Sequence, residues 1–222
     1  VPLSLREAGL AIDHHWKIYL PVLILSVLLM TPAIIYGEKK AKLKPVFIAA
    51  IALLAISQGL IVLMHESLWG TGMALVIFFT AFNLLEASLP SLISKIAPVE
   101  SKGTAIGIYS STQFLGAFFG ASLGGWLYQH FGLSAIVTFC TMLLLVWLYF
   151  AITMKAPAAV RSKMYHVPEM DNQRANGLSR ELAALPGVHE ALVLANEQVA
   201  YLKVDLKGFD EEKVVQLIKG GA

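Results

Sequence analysis

Apolar residues fill most of the chain up to residue 155, and polar residues take over after it. Five apolar segments each hold roughly the 20 residues that a helix needs to cross the ~30 Å hydrocarbon core of a bilayer. Because lipid offers the backbone no hydrogen-bond partner, these segments are expected to be helices. The predicted spans are residues 17–36, 45–64, 69–94, 104–128 and 133–154.

After residue 163 the pattern changes to alternating strands and helices. A strand is predicted within 164–170, and leucines at helical spacing predict a helix over 176–185, ended by Pro186-Gly187. Residues 189–194 and 199–206 alternate apolar and polar positions, which predicts a hairpin around a turn at 196–198. A last helix is predicted over 211–219. The order βαββα lacks only a final strand of a ferredoxin-like sandwich.

Composition supports this division of the chain. Apolar residues make up 57% and charged residues 14%, with mean hydropathy +0.68, whereas soluble domains carry about 25% charge. We therefore predict an all-α membrane bundle of five helices followed by a small α+β domain. The predicted parts are an external loop over 1–16, membrane helices over 17–154, a linker over 155–163 and a domain over 164–222. A start at Val1, without Met, indicates a fragment.

Basic residues are confined to every second loop. Loop 37–44 has four lysines, loop 95–103 has two, and 155–163 has three basic residues, whereas 65–68 and 129–132 have none. Lysine and arginine accumulate on the cytoplasmic side of membrane proteins. This predicts that segment 1–16 is external and that the small domain is cytoplasmic.

The chain has none of the common catalytic or metal-binding motifs. No Ser-His-Asp set, phosphate-binding loop, HExxH sequence or cysteine pair is present. Cys140, in an apolar run, is expected to serve packing. We therefore expect no enzyme, cofactor, metal site or nucleic-acid partner.

Glu86 is the most informative polar residue in the predicted spans. It lies about 12 Å from the cytoplasmic end of its helix, where an exposed charge is costly. One interpretation is a carboxylate that exchanges protons or binds cations in a cavity. The other is an interhelical hydrogen bond, with Asn83 one turn away. Gln113 either lines the same cavity or joins helices.

The fourth predicted span carries small residues at four-residue spacing. Such a stripe lets two helix backbones approach closely. It predicts either static packing or a surface along which helices move. The glycines are Gly103, Gly107, Gly116, Gly120 and Gly124, with Gly125 beside them.

Loop 37–44 (GEKKAKLK) has three interpretations. Its lysines set topology, or Glu38 with Lys39 and Lys40 forms a charged latch at a helix end. A third use is contact with anionic lipid, at about 1 kcal/mol per basic residue.

Residues 82–98 (FNLLEASLPSLISKIAP) and 102–132 resemble helices ten and eleven of the Major Facilitator Superfamily, in its drug:proton antiporter group. The resemblance implies that the five spans are helices eight to twelve and that helices one to seven are missing. Loop 37–44 is similar to the family's loop motif, with Glu38 at the acidic position and Lys39 at the basic one. Ala41 stands where the family prefers glycine. A ferredoxin-like domain after helix twelve is unusual and indicates a bacterial inner-membrane member.

The tail also resembles heavy-metal-associated domains, on the residues Leu185-Pro186-Gly187-Val188 and the hairpin that follows. Those domains bind soft metals through two cysteines, and Asn172 and Ala175 occupy the matching positions here. Because soft metals select thiolate ligands, the tail is expected to share the fold without this metal function.

The resemblance implies a proton-coupled transporter that exports small amphipathic compounds by alternating access and is inactive as a fragment. Its expected partners are the lipid bilayer, the missing N-terminal helices, a small-molecule substrate and the proton. The alternative is a metal-handling or metal-sensing membrane protein whose tail is the sensor. A third hypothesis makes the tail a dimerisation or docking module.

Overall fold

The computed structural model describes residues 10–40, 42–64, 67–156, 160–205 and 208–220. They form two compact units. The membrane unit comprises Val1–Pro90 and Ser111–Ala156, and the tail unit comprises Ser91–Ser110 and Pro157–Ala222. Most of the predicted external loop lies outside the described residues; the remainder holds a short 3-10 turn at Ile12–His14.

Four long helices account for the apolar part of the chain. They are α1 (Trp16–Lys39), α2 (Leu43–Leu63), α3 (Leu68–Ile96) and α4 (Lys102–Thr153). Each is long and apolar enough to cross a membrane. The first three match the first three predicted spans within a few residues, which confirms the helical membrane class.

The fourth and fifth predicted spans meet inside α4. Its 52 residues would extend about 78 Å, more than twice the thickness of the hydrocarbon core. Gly132 interrupts it with a non-helical backbone, at φ 76° and ψ −171°. Residues 102–131 and 133–153 are therefore two helices joined at a kink, which confirms the fourth and fifth predicted spans as separate helices. The predicted loop over 129–132 is corrected, because the second helix follows Gly132 directly.

A shared apolar core holds the membrane unit together. Helix α2 contributes residues at spacings of three and four, as expected of one helix face. The Phe47 and Trp147 rings meet edge to face, with centroids 5.7 Å apart. Much of α1 and α4 remains exposed, which suits helices that contact lipid or further helices. The core residues are Phe47, Ala50, Ile51, Leu54, Ala81, Leu84, Leu85, Leu144 and Ala151.

The polar part folds in the predicted order. Strand β1 (Val160–His166) is followed by α5 (Asn172–Ala183), β2 (Val188–Leu194), β3 (Val199–Asp205) and α6 (Glu211–Gly220). The sheet is antiparallel with the order β1-β3-β2. These elements, residues 160–220, are called the ferredoxin-like domain below, and they confirm the predicted α+β class.

Two boundaries in this domain differ from the prediction. Strand β1 begins at Val160, because residues 160–163 pair with residues 202–205 of β3. The predicted linker over 155–163 is therefore shortened to the residues before Val160. Helix α5 begins at Asn172, four residues before the predicted start, because Asp171 caps it by accepting a 2.7 Å hydrogen bond from the Arg174 N–H.

The core of the ferredoxin-like domain lies between the sheet and the two helices. It takes alternate residues of β3 and one face each of α5 and α6, as the half-buried pattern predicts. Its buried members are Val167, Ala175, Leu178, Leu182, Val193, Ala200, Leu202, Val204, Val214 and Ile218.

Asp171→Ala is expected to lower the free energy of unfolding of the ferredoxin-like domain by about 1 kcal/mol, since an N-cap acceptor is lost. Urea unfolding of the full-length protein, followed through protease resistance of residues 160–220, measures this change. Asp171→Asn retains a capping oxygen and should restore most of the loss. An alanine variant as stable as the parent would contradict the role of the cap.

Candidate functional site

Helix α3 presents two different faces to its surroundings. Ala81, Leu84 and Leu85 are buried in the core of the membrane unit. Phe82 is 42% exposed, and Glu86 is exposed one turn further along. Residues four apart share a helix face, so Phe82 and Glu86 lie together on the side away from the core.

Aromatic rings extend this exposed face of α3 toward the start of the helix. The Phe78 and Phe82 rings stack at a centroid distance of 6.0 Å and an interplanar angle of 6°. Phe78 also packs at the edge of the apolar core. The face defined by Phe78, Phe82 and Glu86, called the α3 face below, combines two stacked rings with one carboxylate. Such a face can contact an apolar group and a cation at the same time.

Asn83 is used for helix packing. Its Nδ2 donates a 3.1 Å hydrogen bond to Ser26 Oγ on α1. The Ser26 hydroxyl is buried and donates to the Leu23 carbonyl at 2.9 Å. The interhelical hydrogen bond expected near Glu86 therefore exists, but Asn83 makes it with α1 and not with Glu86.

Glu86 takes part in no hydrogen bond or ion pair with another described residue. A carboxylate at this depth is costly when it faces hydrocarbon. Gln113 of α4 is also exposed, and no hydrogen bond links it to Glu86 in the described chain. The structure thus places both residues on open surfaces and does not bring them into contact.

The glycine stripe of α4 is open along its length. A Cβ added to any of its glycines would meet no atom within 4 Å. Close packing against this stripe is therefore not provided by the described helices and stays a prediction. The positions are Gly103, Gly107, Gly116, Gly120, Gly124 and Gly125.

The candidate latch lies at the turn between α1 and α2. Gly37 is buried there, and a Cβ on it would lie 3.4 Å from Val46. Lys39 ends α1, and Lys40 Nζ lies 5.4 Å from the centroid of the Tyr36 ring, a cation–π contact. Ala41 lies outside the described residues. A latch role for Glu38, Lys39 and Lys40 stays a prediction.

Lys44 has a structural role that sequence reasoning missed. Its Nζ donates hydrogen bonds to the carbonyls of Ile152 and Met154, at 2.8 and 2.7 Å. These carbonyls lie at the end of α4, where a cation is favoured by the helix dipole. Lys44 therefore joins the start of α2 to the last turn of α4. The sequence showed only a lysine in a basic loop.

The ferredoxin-like domain gives no support to the metal-sensing alternative. Asn172 and Ala175 lie in the first turn of α5, and Ala175 is buried in the core. In the described parts of the chain, no three His, Cys, Asp or Glu side chains gather to hold a metal ion. His189 is used in a 2.7 Å contact with Asp205.

A polar cluster ties β1 to α6 in the same domain. Lys163 Nζ lies 2.6 Å from Glu211 Oε2, and the Tyr165 hydroxyl donates to Glu211 Oε1 at 2.9 Å. The hydrogen bond from Lys163, with that from Tyr165, lowers the pKa of Glu211, while burial is the main cause that raises the pKa of Tyr165. The stabilisation from Glu211 is thus present at neutral pH and is lost as pH falls through its lowered folded-state pKa.

Comparison with known proteins extends over almost the whole chain. Residues 16–190 match the sequence model of a family described as the Major Facilitator Superfamily. The inner membrane transport protein YajR of Escherichia coli (strain K12) is 38% identical over 220 residues, which cover 99% of this chain and 48% of YajR. The chain therefore spans about half the length of that relative.

Two relatives from Buchnera aphidicola match a smaller part. An uncharacterized transporter of subspecies Acyrthosiphon pisum is 32% identical over 120 residues, covering 54% of this chain and 31% of that protein. An uncharacterized transporter of subspecies Baizongia pistaciae is 29% identical over 149 residues, covering 66% of this chain and 38% of that protein. Both of these relatives are transporters by name, in agreement with the family match.

Proposed function

Because this chain belongs to the Major Facilitator Superfamily, we propose that it supplies most of the C-terminal half of a proton-coupled transporter that exports small amphipathic compounds. The chain is a multi-pass membrane protein with four long apolar helices. YajR is an inner membrane transport protein, and we place this protein in the same bacterial membrane with its ferredoxin-like domain in the cytoplasm.

The α3 face carries this proposal. Glu86 is exposed on it, although the opposite side of the same helix is buried in the core. A carboxylate in this position is costly against lipid, so a water-containing cavity is the environment that best accommodates it. Proton exchange at Glu86 would then couple to release of substrate.

The two stacked rings beside Glu86 indicate the substrate class. Phe78 and Phe82 offer a flat apolar surface, and the carboxylate one turn further attracts a positive charge. This combination favours organic compounds with an aromatic or aliphatic body and a cationic group. A proton on Glu86 would remove the attraction, so that proton and substrate would compete for one site.

The remaining helices of the transporter complete the cavity in this proposal. Secondary transporters bind substrate near the bilayer midplane, between two halves that rock against each other. The α3 face and Gln113 would face the other half. The open glycine stripe of α4 would pack against helices from outside this chain, and the latch candidates Glu38, Lys39 and Lys40 would act at the cytoplasmic side.

Glu86→Gln in the full-length protein is expected to reduce efflux driven by a pH gradient by about tenfold, within the usual range of coupling energies. The measurement is transport of a fluorescent cationic dye in everted membrane vesicles over a range of pH. Glutamine retains the size of the side chain and removes its titration.

The matched control is Glu169→Gln, which changes an exposed carboxylate outside the apolar helices and should leave efflux unchanged. Equal amounts of inserted protein must be compared. If Glu86→Gln transports at the parental rate with the parental pH dependence, proton coupling through Glu86 is wrong.

A further inference from the structure

Lys203 is buried on the face of the sheet where the strand pattern predicts a solvated side chain. In β3, Ala200, Leu202 and Val204 are fully buried toward the helices of the ferredoxin-like domain. Lys203 points to the opposite face, because successive strand residues alternate. It is nevertheless only 5% exposed. Something therefore covers that face of the sheet.

The cover is the loop between α3 and α4, residues 97–101, called the docking loop below. It contains a short 3-10 turn at Val99–Ser101 and belongs to the tail unit. Lys203 Nζ donates a hydrogen bond to the carbonyl of Ala97. The Ala97 residue is itself buried. The ferredoxin-like domain thus holds a connection between two of the apolar helices.

Two paired side chains of the sheet, Lys203 and Glu190, hydrogen-bond to the docking loop on both sides of Pro98. Glu190 is the partner of Lys203 across β2 and β3, and its Oε2 lies 3.1 Å from Lys203 Nζ. Its other oxygen, Oε1, accepts a 3.0 Å hydrogen bond from the Val99 N–H. Lysine therefore binds the loop carbonyl before the proline, and glutamate binds the loop N–H after it.

Backbone proximity broadens this attachment. The 3-10 turn at Val99–Ser101 lies against both β2 and β3. Beside it, an open pocket of about 430 Å³ is lined by Val99 and Glu100 of the loop and by Leu192, Leu194 and Tyr201 of the sheet. The attachment thus involves two strands and not a single hydrogen bond.

The chemistry of this contact suits reversible docking. A buried lysine is costly unless its charge is paired and its donors are satisfied, and here Glu190 and Ala97 meet that need. Without the loop, Lys203 and Glu190 would form a solvated ion pair across the sheet, which costs little. The charges of Lys203 and Glu190 are therefore paired or solvated in both the docked and the released state. An all-apolar contact would instead expose hydrophobic surface on release.

We propose that the ferredoxin-like domain binds the docking loop reversibly and thereby restrains the connection between α3 and α4. Docking holds the end of the helix that carries Glu86, so release and docking favour different states of the helices. The effect on transport rests on the function proposed above, whereas docking itself does not.

Two substitutions test the contact from its two sides in the full-length protein. Lys203→Met removes the charge and keeps a long side chain. Val99→Pro removes the donor to Glu190 without changing the ferredoxin-like domain. The proline fits locally, because Pro98 has an extended backbone at φ −55° and ψ 148°, which suits a residue before proline, and the first position of a helical turn accepts proline.

Hydrogen–deuterium exchange in peptides that cover the docking loop is expected to become about tenfold to a hundredfold faster in both variants, the range for a lost charge-assisted hydrogen bond. Exchange in peptides from α5 and β3 should stay at the parental rate, which separates undocking from unfolding. Lys219→Met, a change of an exposed lysine on α6, should leave all these rates unchanged.

Unchanged exchange of the docking loop in both variants would overturn the docking proposal, whatever the transport activity. Faster exchange with a parental rate of dye efflux would overturn the restraint on transport. Faster exchange together with altered efflux supports both parts. Because the exchange measurement needs no substrate, failure of the proposed transport function and failure of docking are distinguishable.

Discussion

Leu182→Ala is expected to remove most of the stability of the ferredoxin-like domain in the full-length protein. Leu182 is 0% exposed and belongs to the core between the sheet and α5 and α6. Replacing a buried leucine by alanine costs about 2–5 kcal/mol through lost burial and the cavity that remains. A domain of about 60 residues has a total stability of about 3–9 kcal/mol. The substitution therefore removes a large part of the free energy of unfolding of the domain.

Pulse proteolysis in urea measures this effect, since the unfolded domain is cleaved while the membrane helices stay protected. We expect the urea midpoint for loss of residues 160–220 to fall sharply. Glu181→Ala is the matched control, because its side chain is exposed and lies next to Leu182 on the same helix. A similar midpoint for both alanine variants would show that α5 does not pack as described.

Gly132→Ala is expected to reduce the amount of correctly inserted protein by about tenfold. At φ 76° and ψ −171°, Gly132 occupies a backbone region that is essentially restricted to glycine, and a side chain there costs about 1–3 kcal/mol. Alanine also favours a helical backbone by about 1 kcal/mol over glycine. Both effects favour an unbroken α4, which is far too long for one span of a bilayer.

The insertion of α4 can be measured by labelling. In a Cys140→Ser background, His130→Cys places a thiol beside the break, and a membrane-impermeant maleimide reports whether it is accessible. Labelling should decrease in Gly132→Ala. Gly59→Ala is the control, since Gly59 lies within α2 and an added Cβ meets no atom within 4 Å. Parental labelling and yield in Gly132→Ala would contradict a required break.

The order of helices and strands was predictable, because it depends on which residues must avoid water. Runs of about 20 apolar residues have one stable conformation in lipid, and alternating patterns in the tail have one buried face. Hence α1, α2, α3 and the order βαββα agree with prediction. The boundary at Val160 was missed because the next three residues that pair with β3, Arg161 to Lys163, have polar side chains that also suit a linker.

The polar contacts were less predictable, because they depend on residues distant in the sequence. Lys44 meets carbonyls more than 100 positions away, and in the sequence it is one of several loop lysines. Lys203 fits an alternating strand in which it would be solvated, and only the docking loop makes it buried. Glu86 was identifiable, since a carboxylate in an apolar run is rare. The hydrogen bond from Asn83 to Ser26 was not, because it depends on how α1 and α3 pack.

The shortness of the connection after α4 has a consequence for the docking loop. Helix α4 ends at Thr153 and β1 begins at Val160, so six residues join them and extend at most about 22 Å. A tether of this length holds the ferredoxin-like domain at an effective concentration on the order of millimolar. A contact with only millimolar intrinsic affinity would thus be occupied about half of the time, where small changes in affinity change occupancy most. In the reversible docking proposed above, this short connection would let a contact of low intrinsic affinity respond to small changes, so that tight binding is not needed.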